Sequence, residues 1–382
     1  MKNIKKILVV SPNYPIQGNP GYVFVQTLCH EFARMGCTLT IFAPQSLTTL
    51  LTSYKNRRPY IRSEIINGNK ISIYQPYTIA FPFRFTRLYY YSMRKAAMRF
   101  FKKTKVEVDV CYCHFYRSAY VVLPYVKKYK IPLFVATGEG ALSYWKDLLR
   151  RSKYMEINKY LNGIISVSSN NKSLSEEIGI SKGVDCIVAP NGINEELFHL
   201  KNREELRAKY GINQDIFIVA FVGLFTERKG HKRLATAIDK IGNVFSFFIG
   251  YSLNNGEDGP NCEGILFRGK LSHDVLPDYL NMADIFVLPS LNEGCSNAII
   301  EALACGLPIV SSNLPFNYDV LNGDNSILID PNNINEIAQA ICTLKEDEEL
   351  RRKLSEGALR TASQLTIERR AKRILDFMSM KS

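Results

Sequence analysis

The sequence lacks any apolar run long enough to cross a bilayer. Its longest nearly unbroken apolar stretch, residues 216–225, is half of the ~20 residues that a transmembrane helix needs. The N-terminus holds only four consecutive apolar residues before Ser11 and Pro12, which is too few for the core of a signal peptide. The sequence therefore predicts no membrane-spanning segment, and residues 7–10 are predicted to form a buried first strand.

Paired cysteines and metal-binding signatures are also missing. The nine cysteines are an odd number without a CxxC pair, and their closest spacing is Cys111 to Cys113. Reduced thiols in a cytosolic protein are therefore expected. There is no HExxH and no Asp-x-Asp at a strand end, and the five histidines are scattered. Accordingly, no metal site and no cofactor is predicted.

What the sequence does contain is typical of a folded globular protein. Apolar residues make up 46% of the chain, charged residues 22% and aromatic residues 11%. This balance excludes disordered, collagenous and coiled-coil chains. At about 150 residues per domain, 382 residues predict two domains, each able to bury its own core.

Positive charge is concentrated in the first half of the chain. Residues 1–190 carry 28 Lys and Arg but 10 Asp and Glu, a net charge of +18, whereas residues 191–382 have a net charge of −5. Residues 83–105 alone hold eight basic residues, seven Phe or Tyr and no acidic residue. The candidate patch residues are Arg84, Arg87, Arg94, Lys95, Arg99, Lys102 and Lys103.

This basic aromatic segment has three interpretations. A helix that mixes cations with aromatic rings suits an anionic membrane surface or a lipid-linked acceptor. It could equally be a solvated helix whose rings pack on its own domain. Nucleic acid is not expected as a partner, because no RRM, KH, zinc-finger or helix-turn-helix pattern accompanies the charge.

Beta-branched runs alternate with amphipathic stretches in both halves of the chain, as in parallel sheets covered by helices. The predicted strands are residues 6–11, 37–42, 71–74, 108–114, 133–137, 163–168, 216–223, 244–250, 265–268, 284–288, 308–311 and 327–329. Helices are predicted at residues 232–241 and 297–305, and a final one after Thr366. The turn cluster around Pro190, Asn191 and Gly192 is predicted to be the linker between two doubly wound α/β domains.

Residues 288–308, LPSLNEGCSNAIIEALACGLP, are predicted to form a strand, a loop of small residues and a helix. The free amides at such a helix start bind a phosphate together with the helix dipole. The candidate anion-binding residues are Gly294, Cys295, Ser296, Asn297 and Ala298. Glu293 precedes the helix and Glu301 lies within it, so separate roles are expected, on sugar hydroxyls and on a ribose diol. The alternative is a capped helix with a solvated glutamate.

This segment resembles the EGxxxxxxE motif of the group 1, family 4 retaining glycosyltransferases, and most of the chain is similar to that family in register. The resemblance implies a GT-B fold, with two Rossmann-like domains facing across a cleft. Residues 1–190 would form the acceptor-binding domain, residues 191–365 the nucleotide-sugar domain, and residues 366–382 a helix that crosses back to the first domain.

Residues 221–230, FVGLFTERKG, resemble the family strand and loop that carry an Arg and a Lys for the donor diphosphate. Lys229 matches the family Lys. Leu224 stands where the family has Arg, and Arg228 is the candidate substitute, since cations after a strand suit a phosphate. An exposed turn is the alternative.

Three further segments resemble family motifs of the first domain. Gly18 and Gly21 match the glycine loop after the first strand, where backbone approaches the donor phosphates or the acceptor. His114 matches the family His beside the transferred sugar, although a lone His at a strand end is as often structural. Glu139 stands where the family has His, and it could orient the acceptor hydroxyl, orient the donor sugar or act as a base.

The resemblance implies transfer of a sugar, with retention, from a UDP- or GDP-linked donor to an acceptor hydroxyl. The expected acceptor is lipid-linked or a saccharide, as in capsule or lipopolysaccharide synthesis at the inner face of the cell membrane. A GT-B nucleotide-sugar 2-epimerase and a phosphorylase of the same architecture are rival enzymes. The non-enzyme alternative is a basic peripheral membrane or RNA-binding protein.

Overall fold

The computed structural model describes residues 3–16, 21–47, 58–79, 86–104, 107–138, 151–252 and 259–382. At residues 86, 87, 89 and 151–154 it describes the backbone alone. The chain forms two compact units: Met1–Ala189 with Ile367–Ser382, and Pro190–Thr366. The predicted limits, after residues 190 and 365, each lie one residue from these divisions.

The strands follow one another as short runs of two to six residues. They are β1 (Lys6–Val10), β2 (Thr38–Phe42), β3 (Gln45–Ser46), β4 (Ile61–Ile66), β5 (Asn69–Tyr74), β6 (Tyr77–Thr78), β7 (Val110–His114), β8 (Leu133–Thr137), β9 (Leu161–Ser166), β10 (Cys186–Val188), β11 (Ile218–Val222), β12 (Phe245–Ile249), β13 (Ile265–Gly269), β14 (Ile285–Leu288), β15 (Ile309–Ser312) and β16 (Ser326–Ile329).

Helices connect most of these strands. They are α1 (Val23–Arg34), α2 (Thr86–Thr104), α3 (Tyr116–Tyr129), α4 (Arg151–Asn158), α5 (Ser169–Glu177), α6 (Arg203–Lys209), α7 (His231–Ile241), α8 (Leu276–Met282), α9 (Asn297–Ala304), α10 (Ile334–Glu346), α11 (Glu348–Ala362) and α12 (Ile367–Lys381). A 3₁₀ turn, Glu227–Lys229, precedes α7.

The first unit is built on an eight-stranded sheet in the order β10-β9-β8-β7-β1-β2-β5-β4. All neighbours pair in parallel except β4, which runs antiparallel to β5 at the edge. One face packs on α1 and α12 through residues such as Phe32 and Ile374. The other face packs on α2 and α3 through residues such as Phe101 and Val122. Both faces are covered, which explains why every residue of β7 and β8 is buried.

The second unit is built on a six-stranded parallel sheet in the order β13-β12-β11-β14-β15-β16. Its core is one apolar cluster that includes Phe221, Phe248, Leu288 and Leu303. The strand order changes direction between β11 and β14. In open α/β sheets, ligands bind beside the carboxyl ends of the strands where the order changes direction.

The predicted doubly wound α/β architecture is confirmed in both units, and each predicted strand coincides with an observed one to within two residues. The short strands β3, β6 and β10 were not predicted, and neither was the edge strand β4. Its residues alternate between exposed and half-buried, because only one face of this edge strand is covered. Residues 61–66 therefore do not form an unbroken β-branched run of the kind that marks the predicted strands.

Within the described ranges, none of the helices is long and apolar enough to cross a membrane. All nine cysteines are free thiols.

Candidate functional site

Two loops of the second unit meet at the carboxyl ends of β11 and β14. The first loop leads from β11 through the 3₁₀ turn to α7, and the second leads from β14 to α9. Leu291 N–H donates to Arg228 O at 2.8 Å, which joins the loops through their main chains. Gly230 has φ 78°, and a Cβ there would lie 2.5 Å from Pro289 O. A glycine is therefore required where the first loop passes over the end of β14.

The predicted cations Arg228 and Lys229 converge on the predicted carboxylate Glu293. Lys229 Nζ lies 2.6 Å and Arg228 Nη1 2.9 Å from the same oxygen, Glu293 Oε1. The Lys229 and Glu293 side chains are only 12% and 10% exposed, whereas that of Arg228 is 46% exposed. Two cations on one carboxylate leave a net positive charge, which suits a further anion at this position.

The side chain of Lys229 is positioned by a close approach of two main chains. Its Cδ and Cε lie 3.5 and 3.6 Å from where a Cβ of Gly223 would be. A Cβ on Gly250 would lie 1.8 Å from Gly223 O, so residue 250 must be glycine. The Lys229 side chain therefore passes over Gly223, which has no side chain, and its Nζ reaches Glu293.

The second loop ends at the N-terminus of α9, where sequence reasoning placed the anion-binding amides. Ser296 is the N-cap residue but its side chain makes no capping bond. Its Oγ is buried and has no partner among the residues that the structure describes. Asn191 donates through Nδ2 to Cys295 O at 3.1 Å and to Asn297 Oδ1 at 2.8 Å. These two bonds fix the loop. The backbone N–H groups at the start of α9 and the Ser296 hydroxyl remain available as hydrogen-bond donors.

Glu301 lies one turn further along α9 and has a different partner. His273 Nε2 lies 3.3 Å from Glu301 Oε1, and the Glu301 side chain is 16% exposed. The two predicted glutamates, Glu293 and Glu301, therefore have separate partners in the second unit.

His114 lies in the first unit, at the end of β7. It is 5% exposed and its ring packs against Tyr22, Phe24 and Phe115. Burial, with the nearby charges of Arg370 and Arg117, lowers the pKa of His114 to about 3. The imidazole is therefore neutral at physiological pH, and its buried Nδ1 has no partner in the described part of the chain.

The backbone beside His114 is strained. Phe115 has φ 72° and ψ 151°, a region that residues other than glycine rarely occupy. Arg117 donates through Nη2 to Tyr22 Oη at 3.0 Å, and its guanidinium lies 5.5 Å from the centre of the Phe115 ring. Such strain costs about 1–3 kcal/mol and is found mainly at ligand-binding and catalytic positions.

The remaining predicted residues of the first unit are only partly described. Gly21 lies in the turn before α1, next to Tyr22, which has a left-handed φ of 70°. Gly18 and Glu139 lie outside the described residues, as does Arg84 of the basic patch. For Arg87 the structure describes the backbone, which lies in α2.

Helix α2 presents an exposed face that we call the α2 face: Leu88, Tyr91, Lys95, Arg99, Lys102 and Lys103. The opposite side of α2, including Met93 and Phe101, is buried in the core of the first unit. Lys95 Nζ lies 4.7 Å from the centre of the Tyr91 ring. Arg94 is half-buried with its guanidinium over the Tyr120 ring, so it does not belong to this face.

Sequence reasoning missed Asn191 and His273, which bond to residues of the predicted site, and Arg370, whose charge helps to lower the pKa of His114. Asn191 was treated as linker, and His273 and Arg370 received no role. Asn191 is separated by 104 residues from Cys295, and no local pattern in the sequence connects them. His273 had no distinguishing neighbour, because its partner Glu301 is 28 residues away.

Residues 23–197 match the family model described as Glycosyltransferase Family 4, and residues 202–361 match the model described as Glycosyl transferases group 1. The chain belongs to the group 1 / family 4 glycosyltransferases. The glycosyltransferase assignment supports the predicted transfer activity and does not support the 2-epimerase alternative.

Two curated relatives are similar over most of their length. The chain is 24% identical over 356 residues to a Bacillus subtilis protein named as a teichuronic acid biosynthesis glycosyltransferase, TuaC, covering 90% of each chain. It is 26% identical to the N,N′-diacetylbacillosaminyl-diphospho-undecaprenol alpha-1,3-N-acetylgalactosaminyltransferase of Campylobacter jejuni, covering 62% of this chain and 67% of that protein.

Solved structures show the fold of this glycosyltransferase. Sucrose-phosphate synthase from Thermosynechococcus elongatus superposes with a TM-score of 0.80 at 19% identity, covering 98% of both chains. HepE from Anabaena, in complex with UDP and glucose, superposes with a TM-score of 0.74 at 18% identity, covering 99% of this chain and all of that one. The predicted GT-B fold with two Rossmann-like domains is confirmed.

Proposed function

We propose that this glycosyltransferase moves a sugar, with retention at the anomeric carbon, from a nucleotide diphosphate sugar to an acceptor hydroxyl without a divalent metal. The acceptor would be lipid-linked or a saccharide of a cell-surface polysaccharide. The observation that carries the proposal is the convergence of Lys229 and Arg228 beside the uncapped start of α9.

The donor diphosphate would bind beside the positive charges of Lys229 and Arg228. Lys229 and Arg228 would each keep a contact to Glu293 and donate remaining N–H bonds to phosphate oxygens. Ser296 Oγ and the first amides of α9 would contact the other side of the diphosphate. Arg228 would then supply the cation that the family pattern places at position 224, where this chain has Leu224.

In the proposed reaction the bond from the anomeric carbon to the diphosphate oxygen breaks, and the bond to the acceptor oxygen forms on the same face. The acceptor proton passes to the leaving diphosphate oxygen, so no protein nucleophile is needed. Lys229, Arg228 and the α9 dipole would stabilise the charge that develops on the leaving group. Neutral His114 would hydrogen-bond a sugar hydroxyl, and Glu293 would accept from another.

Metal independence rests on the same cations. A divalent ion in such a reaction neutralises the leaving diphosphate, and here two side chains and a helix start supply that positive charge. The described residues contain no group of three His, Cys, Asp or Glu side chains arranged to hold a metal ion.

Thermal unfolding with UDP, GDP and ADP, in EDTA, tests the donor site. A nucleotide at 100 times its Kd stabilises the native state by about 2.7 kcal/mol, and this stabilisation should be lost in Lys229→Ala. Lys240→Ala is the matched control, since this exposed lysine at the other end of α7 bonds to Asn335. Stabilisation that needs added Mg²⁺ or Mn²⁺, or that persists in Lys229→Ala, would contradict the proposal. The anomeric configuration of the product, read by NMR, tests retention.

The surface-polysaccharide acceptor is supported by the names of the relatives and by the α2 face. The two relatives described above are named for teichuronic acid synthesis and for a diphospho-undecaprenol substrate. The α2 face carries no acidic residue and exposes Leu88 and Tyr91 at 47% and 55%. Cations near apolar side chains suit the interface of an anionic lipid layer, and we propose that this face rests on it.

Co-sedimentation with vesicles tests this membrane contact. The protein should bind vesicles of phosphatidylcholine with phosphatidylglycerol, and not phosphatidylcholine alone. Changing Lys95, Arg99, Lys102 and Lys103 to Gln should weaken binding by up to about a thousandfold, since each of the four cations contributes about 1 kcal/mol. Changing the exposed Lys128, Lys130, Lys372 and Arg373 to Gln removes equal charge and serves as control. Equal losses in both variants, or tighter binding to single-stranded RNA than to vesicles, would contradict the proposal.

A further inference from the structure

Glu301 has one oxygen that is held by the protein and one that is not. His273 Nε2 lies 3.3 Å from Oε1. Across the described residues no donor is bound to Oε2, while the side chain is 16% exposed. Every neighbour of Glu301 along α9 from Ile299 to Ala304 is apolar. A carboxylate in these surroundings needs further donors, and a ligand hydroxyl can provide them.

The orientation of His273 is restricted on one side by its packing. It follows β13 in the turn that leads into α8, where Val275 and Leu276 N–H donate to Ser272 O. Its ring packs edge-on against Phe198 with a centroid separation of 5.0 Å, and Phe198 is 2% exposed in the core of the second unit. The imidazole therefore packs on the buried Phe198 ring on one side and bonds through Nε2 to the Glu301 carboxylate.

We infer that His273 is a positioning residue that orients the Glu301 carboxylate for the ribose of the nucleotide. The Nε2–H group of His273 donates to Oε1, which fixes the rotation of the carboxylate and leaves Oε2 to accept the ribose hydroxyls. This inference rests on the proposed function, in which Glu301 binds the ribose diol of the donor. It extends that role to a second residue, from a loop that is far away in sequence.

Without His273 the carboxylate of Glu301 would rotate freely and lose a donor. The ribose contact would then weaken, whereas contacts to the base and to the diphosphate would not change. His273 should therefore affect affinity only for nucleotides that carry ribose hydroxyls. A merely structural role would lower the affinity for all nucleotides alike.

The test compares the binding of UDP and of 2′,3′-dideoxy-UDP by calorimetry, with the GDP pair used instead if GDP is the nucleotide that stabilises the protein. His273→Ala should weaken UDP binding about tenfold and change dideoxy-UDP binding by less than about twofold. His273→Gln, whose Nε2–H reaches a similar position, should restore most of the UDP affinity. His199→Ala, a second histidine of the same unit bonded to Glu195 O, is the matched control.

The outcomes separate the inference from the proposed function. If wild type binds UDP and dideoxy-UDP equally, or if Glu301→Gln leaves that preference intact, Glu301 does not bind ribose and the proposed role of Glu301 fails. If Glu301→Gln abolishes the preference but His273→Ala preserves it, only the inference fails. The double variant with His273→Ala and Glu301→Gln should bind UDP no more weakly than Glu301→Gln alone. An equal loss of affinity for UDP and for dideoxy-UDP in His273→Ala would overturn the inference.

Discussion

At the scale of single residues, the decisive feature is that Glu293 binds the two cations assigned to the diphosphate. Lys229 and Arg228 share one carboxylate oxygen of Glu293. A carboxylate that holds these cations also repels an incoming diphosphate. The same residue is proposed to accept a sugar hydroxyl, so its effects on nucleotide binding and on turnover should have opposite signs.

Glu293→Gln should therefore bind UDP several-fold more tightly and turn over about a hundredfold more slowly. The amide removes the repulsion and releases Lys229, but it accepts a weaker hydrogen bond from the sugar. Calorimetry with UDP and initial rates with the full donor measure the two effects. Glu227→Gln removes an exposed carboxylate bound to Arg233 in the same loop and should change neither. Weaker UDP binding by Glu293→Gln would show that the carboxylate supports the diphosphate site.

The lowered pKa of His114 makes stability depend on pH with a definite sign. The folded pKa is about 3 and the ordinary value is 6.5, so between these pH values the unfolded chain binds a proton that the folded chain does not. Stability of the first unit therefore falls as the pH drops from 6.5 toward 3, by up to about 1.4 kcal/mol per pH unit. Urea unfolding of wild type and His114→Gln between pH 6.5 and 4.5 measures this.

In that comparison the free energy of unfolding of His114→Gln should depend less steeply on pH than that of the wild type, and the difference in slope should correspond to one proton. Ser92→Ala, which changes a side chain of the first unit that carries no titratable group, should keep the wild-type slope. Parallel curves for wild type and His114→Gln would mean that His114 is protonated in the folded protein.

At the scale of elements, helix α9 is notable because its start is not capped by its own sequence. Ser296 has a hydroxyl suitable for capping, yet that hydroxyl bonds to nothing in the described structure. By contrast, Asn333 at the start of α10 accepts from Asn335 and Glu336 N–H. A helix start left without its cap is consistent with a site that an anion completes.

Ser296→Ala should change the free energy of unfolding by less than about 0.5 kcal/mol, because there is no capping bond to lose. It should weaken UDP binding about fivefold, since the hydroxyl is proposed to donate to the diphosphate. Asn333→Ala should do the reverse, costing about 1 kcal/mol of stability without changing UDP affinity. Urea unfolding and calorimetry measure both quantities, and a stability loss in Ser296→Ala equal to that in Asn333→Ala would contradict the assignment.

The elements that bear the site were largely predictable, but their side-chain partners were not. Periodicity and β-branched runs located the strands on either side of the site, and Gly306 and Pro308 marked the end of α9. The contact of Asn191 with Cys295 and that of His273 with Glu301 join loops far apart in sequence. Only the order of strands in the sheet brings those loops together.

At the scale of the whole molecule, the first unit is assembled from two separate parts of the chain. Helix α12 comes last in sequence and packs on β9 and α1, with Phe377 and Ile374 in the core of the first unit. A Cβ on Gly163 would lie 2.5 Å from the Phe377 ring, so this ring packs directly on the backbone of β9. The stability of the first unit therefore depends on the last residues of the chain.

Phe377→Ala should destabilise the first unit by about 3–5 kcal/mol, because it leaves a cavity against Gly163 and Phe134. UDP binding should stay within about twofold, since Lys229, Arg228 and α9 belong to the second unit. Met380→Ala, at a 56% exposed position on the same helix, should be neutral. Urea unfolding with and without UDP measures the effects, and a loss of UDP affinity as large as the loss of stability would contradict the placement of the diphosphate contacts in the second unit.

The sequence by itself determined the fold class, the division into two units, the family and the residues that bear charge in the loops after β11 and β14. These features follow from periodicity, turn residues and local motifs, which depend on neighbours in the chain. Only the tertiary structure decided that Arg228 and Lys229 share the carboxylate of Glu293, that His114 is neutral and that His273 holds Glu301. Charge state and hydrogen-bond partners depend on burial and on distances between side chains, and these exist only once distant segments pack together.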